Sequence, residues 1–114
     1  MLELTLPWPP TVNTYYRSVN GAVKISEKGR SYRLAVADQV LIQRGAKHFS
    51  GRLLVRVTAY VPDKRKRDLD NILKSLLDSL THAGVWEDDS QIDDLHIVRG
   101  PIGGMVKVDV REIT

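Results

Sequence analysis

Residues 53–84 read LLVRVTAYVPDKRKRDLDNILKSLLDSLTHAG, and a change of period inside this stretch decides the fold. Leu53, Val55, Val57, Ala59 and Val61 alternate with Leu54, Arg56, Thr58 and Tyr60, which is the two-residue period of a strand. After a charged connector, Leu69, Ile72, Leu73, Leu76, Leu77 and Leu80 recur at helical spacing, and Gly84 supplies a C-terminal stop. Toward the N-terminus, Leu2, Leu4 and Leu6 alternate with Glu3 and Thr5 as in a half-buried strand. Pro7, Pro9 and Pro10 end that strand, because proline cannot donate to a ladder. Thr11 to Ile25 reads as loop with a turn at Asn20-Gly21. Ser26 and Glu27 open a helix that runs to about Arg44 and is stopped by Gly45. Its broad apolar face (Tyr32, Leu34, Ala35, Val36, Val40, Leu41) is expected to lie on a sheet. Toward the C-terminus, two short strands over about 95–99 and 106–111 are joined by a hairpin-like turn from Pro101 to Gly104. The order β-α-β-α-β-β predicts an α+β fold, a mixed sheet of about four strands with two main helices packed on it.

The chain has 114 residues, no cysteine and a net charge of +3. That length predicts one domain over 1–114, large enough to fold without disulfides or a structural metal. The missing cysteines exclude disulfide scaffolds, cysteine zinc sites, thiol nucleophiles and iron–sulfur clusters. No apolar run approaches the ~18 residues that cross a bilayer, and the N-terminus has no basic head, so a cytoplasmic protein without a membrane partner is expected. The charge is unevenly spread. Residues 1–62 hold 9 Lys/Arg against 3 Asp/Glu, residues 63–94 hold 5 against 9, and residues 95–114 hold 3 against 2. A simple nucleic-acid binder has no need of a carboxylate cluster inside a basic body, whereas a metal-dependent enzyme acting on phosphates does.

That cluster is Asp63-Lys-Arg-Lys-Arg67-Asp-Leu-Asp70-Asn-Ile-Leu-Lys74, with Glu87-Asp88-Asp89 beyond the helix. Asp68 and Asp70 converge if Asp68 is still extended while Asp70 opens the helix. Lys74 lies one turn after Asp70. An antiparallel return after the helix could bring Asp88 and Asp89 back toward the next strand. Carboxylates clustered without histidine or cysteine suit a hard cation such as Mg²⁺, which takes one or two carboxylates plus waters and phosphate oxygens. Lys74 could stabilise charge on a phosphate under attack. Lys64, Arg65, Lys66 and Arg67 could grip flanking phosphates. Each feature also has a plainer reading. Asp68 and Asp70 suit a helix cap and first turn. The basic run suits a solvated turn, Asp88-Asp89-Ser90 is a common turn composition, and Lys74 alone is an ordinary helix lysine. Tyr15 and Tyr16 suit either stacking on bases or packing on the sheet.

Leu6-Pro-Trp-Pro-Pro10 with Asn13 and Tyr15-Tyr-Arg17, then Pro62-Asp63, Arg65-Lys-Arg67-Asp-Leu-Asp-Asn71 and Lys74, then Ala83-Gly84, Trp86 and Asp88-Asp89, resemble the RusA family of Holliday junction resolvases. The resemblance implies a small homodimeric endonuclease that nicks two opposed strands of a four-way DNA junction, using Mg²⁺ or Mn²⁺, in recombination and repair. It implies that Asp68, Asp70 and Asp89 are catalytic and hold the metal, with Asp88 as an additional candidate ligand and Lys74 as the catalytic lysine. The DNA-contact candidates are Lys64, Arg65, Lys66, Arg67, Arg17, Tyr15 and Tyr16. A domain of this length has a radius of only ~13 Å, so two copies about a two-fold axis match a four-way junction better than one. The alternatives are a nuclease for other branched or flapped DNA, or a DNA-binding protein without catalysis.

Overall fold

A computed structural model describes residues 1–113. Its main sheet contains β1 (Leu2–Pro7), β4 (Leu53–Tyr60), β5 (Ile92–Gly100) and β6 (Met105–Glu112) in the order β1-β6-β4-β5. β6 runs antiparallel to both neighbours, and β5 runs parallel to β4. Parallel neighbours require a crossover of a dozen or more residues. The segment from Val61 to Gln91 provides it, with α3 (Leu73–His82) at its centre. The expected α+β class and the order of its main elements are therefore found.

The core lies between one face of this sheet and α2 (Glu27–Ile42) with α3. Leu53, Val55, Val57 and Ala59 are all fully buried, while Arg56 on the opposite face is exposed. Ile72, Leu76 and Leu80 bury the matching stripe from the helical side, and Leu69, Leu73 and Leu77 flank it. Fully burying one such side chain stabilises the fold by roughly 1.5–3 kcal/mol. No helix of the described residues is long and apolar enough to cross a membrane.

Four local expectations are corrected. Residues 11–25 are not plain loop. They form α1 (Val12–Tyr15) and a separate hairpin of β2 (Tyr16–Val19) with β3 (Ala22–Ile25). Its turn is the expected Asn20-Gly21, with φ of 51° and 80°, the left-handed pair that matches strand twist. The apolar face of α2 is narrower than its composition suggests. Tyr32, Val36 and Val40 are buried, but Leu34 and Leu41 fall on the far side of the helix and are exposed. The stop of α2 is Arg44 rather than Gly45. Arg44 takes the left-handed position (φ 58°), and Gly45 N–H bonds back to the Val40 carbonyl at 2.7 Å. Finally, β5 and β6 do not pair as a hairpin, because β4 lies between them. Their connecting loop crosses the end of β4, where Gly103 and Gly104 N–H groups bond to the carbonyls of Val61 and Tyr60.

Candidate metal and DNA site

The entrance to α3 is a 3-10 turn, Leu69–Ile72. Asp68 precedes it in extended conformation (φ −87°, ψ 126°), and Asp70 lies inside it. Asp68 therefore occupies the cap position, but its side chain makes no capping hydrogen bond. Both carboxylates are exposed and enter no ion pair or side-chain hydrogen bond among the described residues. Other surface acids share that property. What distinguishes Asp68 is its surroundings: it lines a groove of about 370 Å³ with Trp8, Thr11, Lys66, Arg67, Asn71 and Ile72. Trp8 and Thr11 form one wall of that groove, and the stretch between them is tied to α3 by the Ser75 hydroxyl, which donates to the Pro10 carbonyl at 2.6 Å.

The basic run divides into two kinds of residue. Arg67 and Arg65 both donate to Asp63, at 2.5 and 3.0 Å. Their guanidiniums, Arg67 first, hold the Asp63 carboxyl well below the usual carboxylate range. Lys64 and Lys66 enter no ion pair among the described residues and remain free for an external anion. The chain bends at residues 62–65, where the Arg65 N–H also bonds to Asp63 Oδ1 at 2.9 Å, so a local aspartate turn builds the clamp.

Asp88 and Asp89 sit beyond α3, where the 3-10 turn Asp89–Gln91 leads into β5. Asp88 caps that turn: its carboxylate accepts from the Ser90 hydroxyl and amide, and the Gln91 side chain accepts from the Asp88 N–H at 2.8 Å. The Ser90 hydroxyl is the main cause that lowers the Asp88 carboxyl, and Lys74 adds a smaller Coulombic pull. Asp89 has no such engagement among the described residues. Lys74 is exposed and forms no ion pair with Asp70 among the described residues; its charge reaches Asp78 and Asp88 instead. Among the described residues of one chain, no three acidic or histidine side chains converge closely enough to hold an ion. The fold thus presents one acidic pair at each end of α3.

Of the aromatic candidates, Tyr15 is corrected. It is fully buried, and it packs between helices rather than on the sheet or toward solvent. Its hydroxyl donates to Asp78 and accepts from Arg33 Nε at 2.6 Å. Arg33 in turn donates to Asp78 at 2.5 Å. Sequence reasoning missed this triad, whose members lie on three different elements with no shared spacing. Tyr16 is half-buried, edge-on to Tyr15 with ring centroids 4.9 Å apart, and Arg17 is exposed.

Comparison with known proteins adds a separate line of argument. A family model described as endodeoxyribonuclease RusA matches residues 7–111. The chain is 46% identical over 114 residues to the crossover junction endodeoxyribonuclease of Enterobacteria phage HK97, covering 97% of this chain and 94% of the relative. The corresponding proteins of Enterobacteria phage 82 and Escherichia coli K12 are 40% and 38% identical with the same coverage.

Proposed function

The chain belongs to the RusA family of crossover junction endodeoxyribonucleases, which hydrolyse phosphodiester bonds of DNA, and on that premise we propose that it resolves four-way junctions by paired symmetric nicks as a metal-dependent homodimer in the cytoplasm. The observation that carries this reading is the unengaged Asp68–Asp70 pair, of which Asp68 lines a groove walled by Lys66, Arg67 and Trp8. The donor set fits a hard divalent cation, since it is all oxygen with no imidazole in the turn. Asp68, Asp70 and Asp89 would hold Mg²⁺ or Mn²⁺, which would bind a phosphate oxygen and lower the pKa of a bound water. Lys74, one turn after Asp70 in the first turn of α3, meets the charge that develops on the phosphate. Lys64 and Lys66 grip flanking phosphates. Arg65 and Arg67, already tied to Asp63, shape the connector.

What supports a homodimer is the free edge of the sheet. β5 is an outer strand with one unpaired edge, and it carries Leu95 and Val98 in exposed positions. Asp89 sits just before its start. At its far end, Arg99 donates to the Arg67 carbonyl, next to Asp68, at 2.8 Å. Two copies paired antiparallel along this edge lay the start of one β5 against the end of the other. Asp89 of one copy then approaches Asp68 and Asp70 of the second, and a pairing centred on His96 sets Asp93 opposite Arg99. Each site draws carboxylates from both copies, and the two-fold axis gives one site per opposed strand.

The test is an end-labelled four-way junction, with flap and linear duplex arms, incubated with and without Mg²⁺ at low salt. Paired nicks in the junction are expected, and Asp70→Asn is expected to abolish them while retaining junction binding. Metal-independent binding with no nicking would refute catalysis by this chain. Nicking confined to flaps would replace the substrate.

A further inference from the structure

We propose that the β2–β3 hairpin is a second DNA-backbone contact, in which Arg17 and Lys24 engage phosphates of the arm flanking the cut. The proposal rests on the DNA substrate assigned above and adds a surface outside the acidic site. Arg17 and Lys24 are directly opposed across the hairpin, and both are exposed. Like charges set opposite each other cost stability, and an isolated two-stranded hairpin has little to spare. Neither cation has an acidic partner among the described residues. Over residues 12–30 four Lys/Arg stand against one acid, Glu27. A pair that is costly within the fold and unneutralised by it is explained by an external polyanion.

The mounting of the hairpin supports a presenting role. Its base is fixed to α2: Ser26 N–H bonds to the Tyr15 carbonyl at 2.8 Å, the Ser26 hydroxyl donates to the Thr14 carbonyl at 2.5 Å, and Arg30 donates to the Ile25 carbonyl at 2.9 Å. Gly29 permits this approach, because a Cβ there would meet the Tyr15 carbonyl oxygen at 2.5 Å. The location is also suitable. Thr11 lines the Asp68 groove, and the next residues, Val12 and Asn13, line a second hollow of about 450 Å³ with Tyr16, Arg17 and Val23. The two depressions adjoin across α1, so a strand leaving the acidic site passes over the hairpin.

The experiment measures binding of a fluorescent four-way junction without divalent metal across a salt series, for wild type, Arg17→Ala/Lys24→Ala, and a control of equal charge change, Lys47→Ala/Arg56→Ala. Loss of two phosphate contacts is expected to reduce the slope of log affinity against log salt by about 1.8. The control is expected to keep the wild-type slope, and Lys24→Ala alone to lose about 0.9. Thermal midpoints of the hairpin variants should equal or exceed wild type, since the like-charge pair is relieved. A hairpin variant with the wild-type slope, or a control that loses as much, overturns the proposal. A drop in oligomeric mass with unchanged slope would make the hairpin a protein interface instead and overturns it too. Nicking by wild type in Mg²⁺ is scored separately: its absence refutes the nuclease reading while an altered slope still supports the DNA contact.

Discussion

Replacing Asp78 by alanine should loosen the unit that holds α1, α2 and α3 together. Asp78 accepts from Tyr15 and Arg33, whose pair is about three-quarters shielded, with side-chain exposures of 26% and 24%. Hydrogen bonds to charged groups contribute roughly 1.5–3 kcal/mol, while fully exposed ion pairs contribute only ~0–1. The intermediate exposure and the lost acceptor of the buried Tyr15 hydroxyl, which keeps only the Arg33 Nε–H donating to it, place the loss at about 2 kcal/mol at neutral pH. At an unfolding entropy of ~2.1 cal/mol/K per residue, this chain should melt ~8 °C lower. The pH dependence has a definite sign. Burial acts to raise the Asp78 carboxyl, but the Tyr15 and Arg33 hydrogen bonds, helped by the charges of Arg33 and Lys74, outweigh it and hold the group below its ordinary value. A depressed carboxyl contributes its full stability above the unfolded value of ~3.9 and loses it as pH falls through the folded value. Thermal melts of wild type and Asp78→Ala between pH 7 and about 2.5 should therefore converge at the acid end, with Asp78→Asn intermediate at pH 7. Equal midpoints at pH 7, or a gap that stays constant into acid, would refute the assignment of the triad as a structural tie.

The remaining expectations concern chemistry and assembly. Lys74→Ala should slow nicking by about 10²-fold or more with little change in junction affinity; an equal loss in affinity would reduce Lys74 to a phosphate contact, and single-turnover kinetics with a binding isotherm separates the two. Asp70→Asn and Asp89→Asn should each be inactive alone, yet a mixture allowed to exchange subunits should regain single-strand nicking, since one site of the mixed dimer then has every carboxylate. Absence of any regained nicking would mean that each copy builds its site from its own residues.

Much of the fold was legible because burial is periodic. β4 and α3 each present one face to the same core, so Leu53–Ala59 and Ile72–Leu80 announce their periods without ambiguity. The β2–β3 hairpin was not legible, because Arg17, Ser18, Ala22, Val23 and Lys24 are all exposed and no inside–outside alternation marks a strand with two wet faces. The apparent pairing of β5 with β6 failed for another reason. Proximity in sequence favours a hairpin, but both β5 and β6 gain a full ladder to the buried β4, and the four-residue link can span that strand. For the candidate site, the residue types and the extended-then-helical step from Asp68 to Asp70 were readable locally. Which charges remain free was not. Asp63 is occupied by Arg65 and Arg67, Asp88 by Ser90, and Tyr15 by Arg33 and Asp78.

The sequence by itself determined the side-chain chemistry and the local geometry: clustered carboxylates with no thiolate, a strand that becomes a helix at the carboxylates, and cations on both sides of them. These follow from side-chain identity and from periods of two and 3.6 residues, which act over neighbours along the chain. Only the tertiary structure decided the order of the strands, the exposed edge of β5 and the burial of Tyr15. Those outcomes depend on contacts between residues tens of positions apart, where competition for one core and one set of hydrogen-bond partners sets the result.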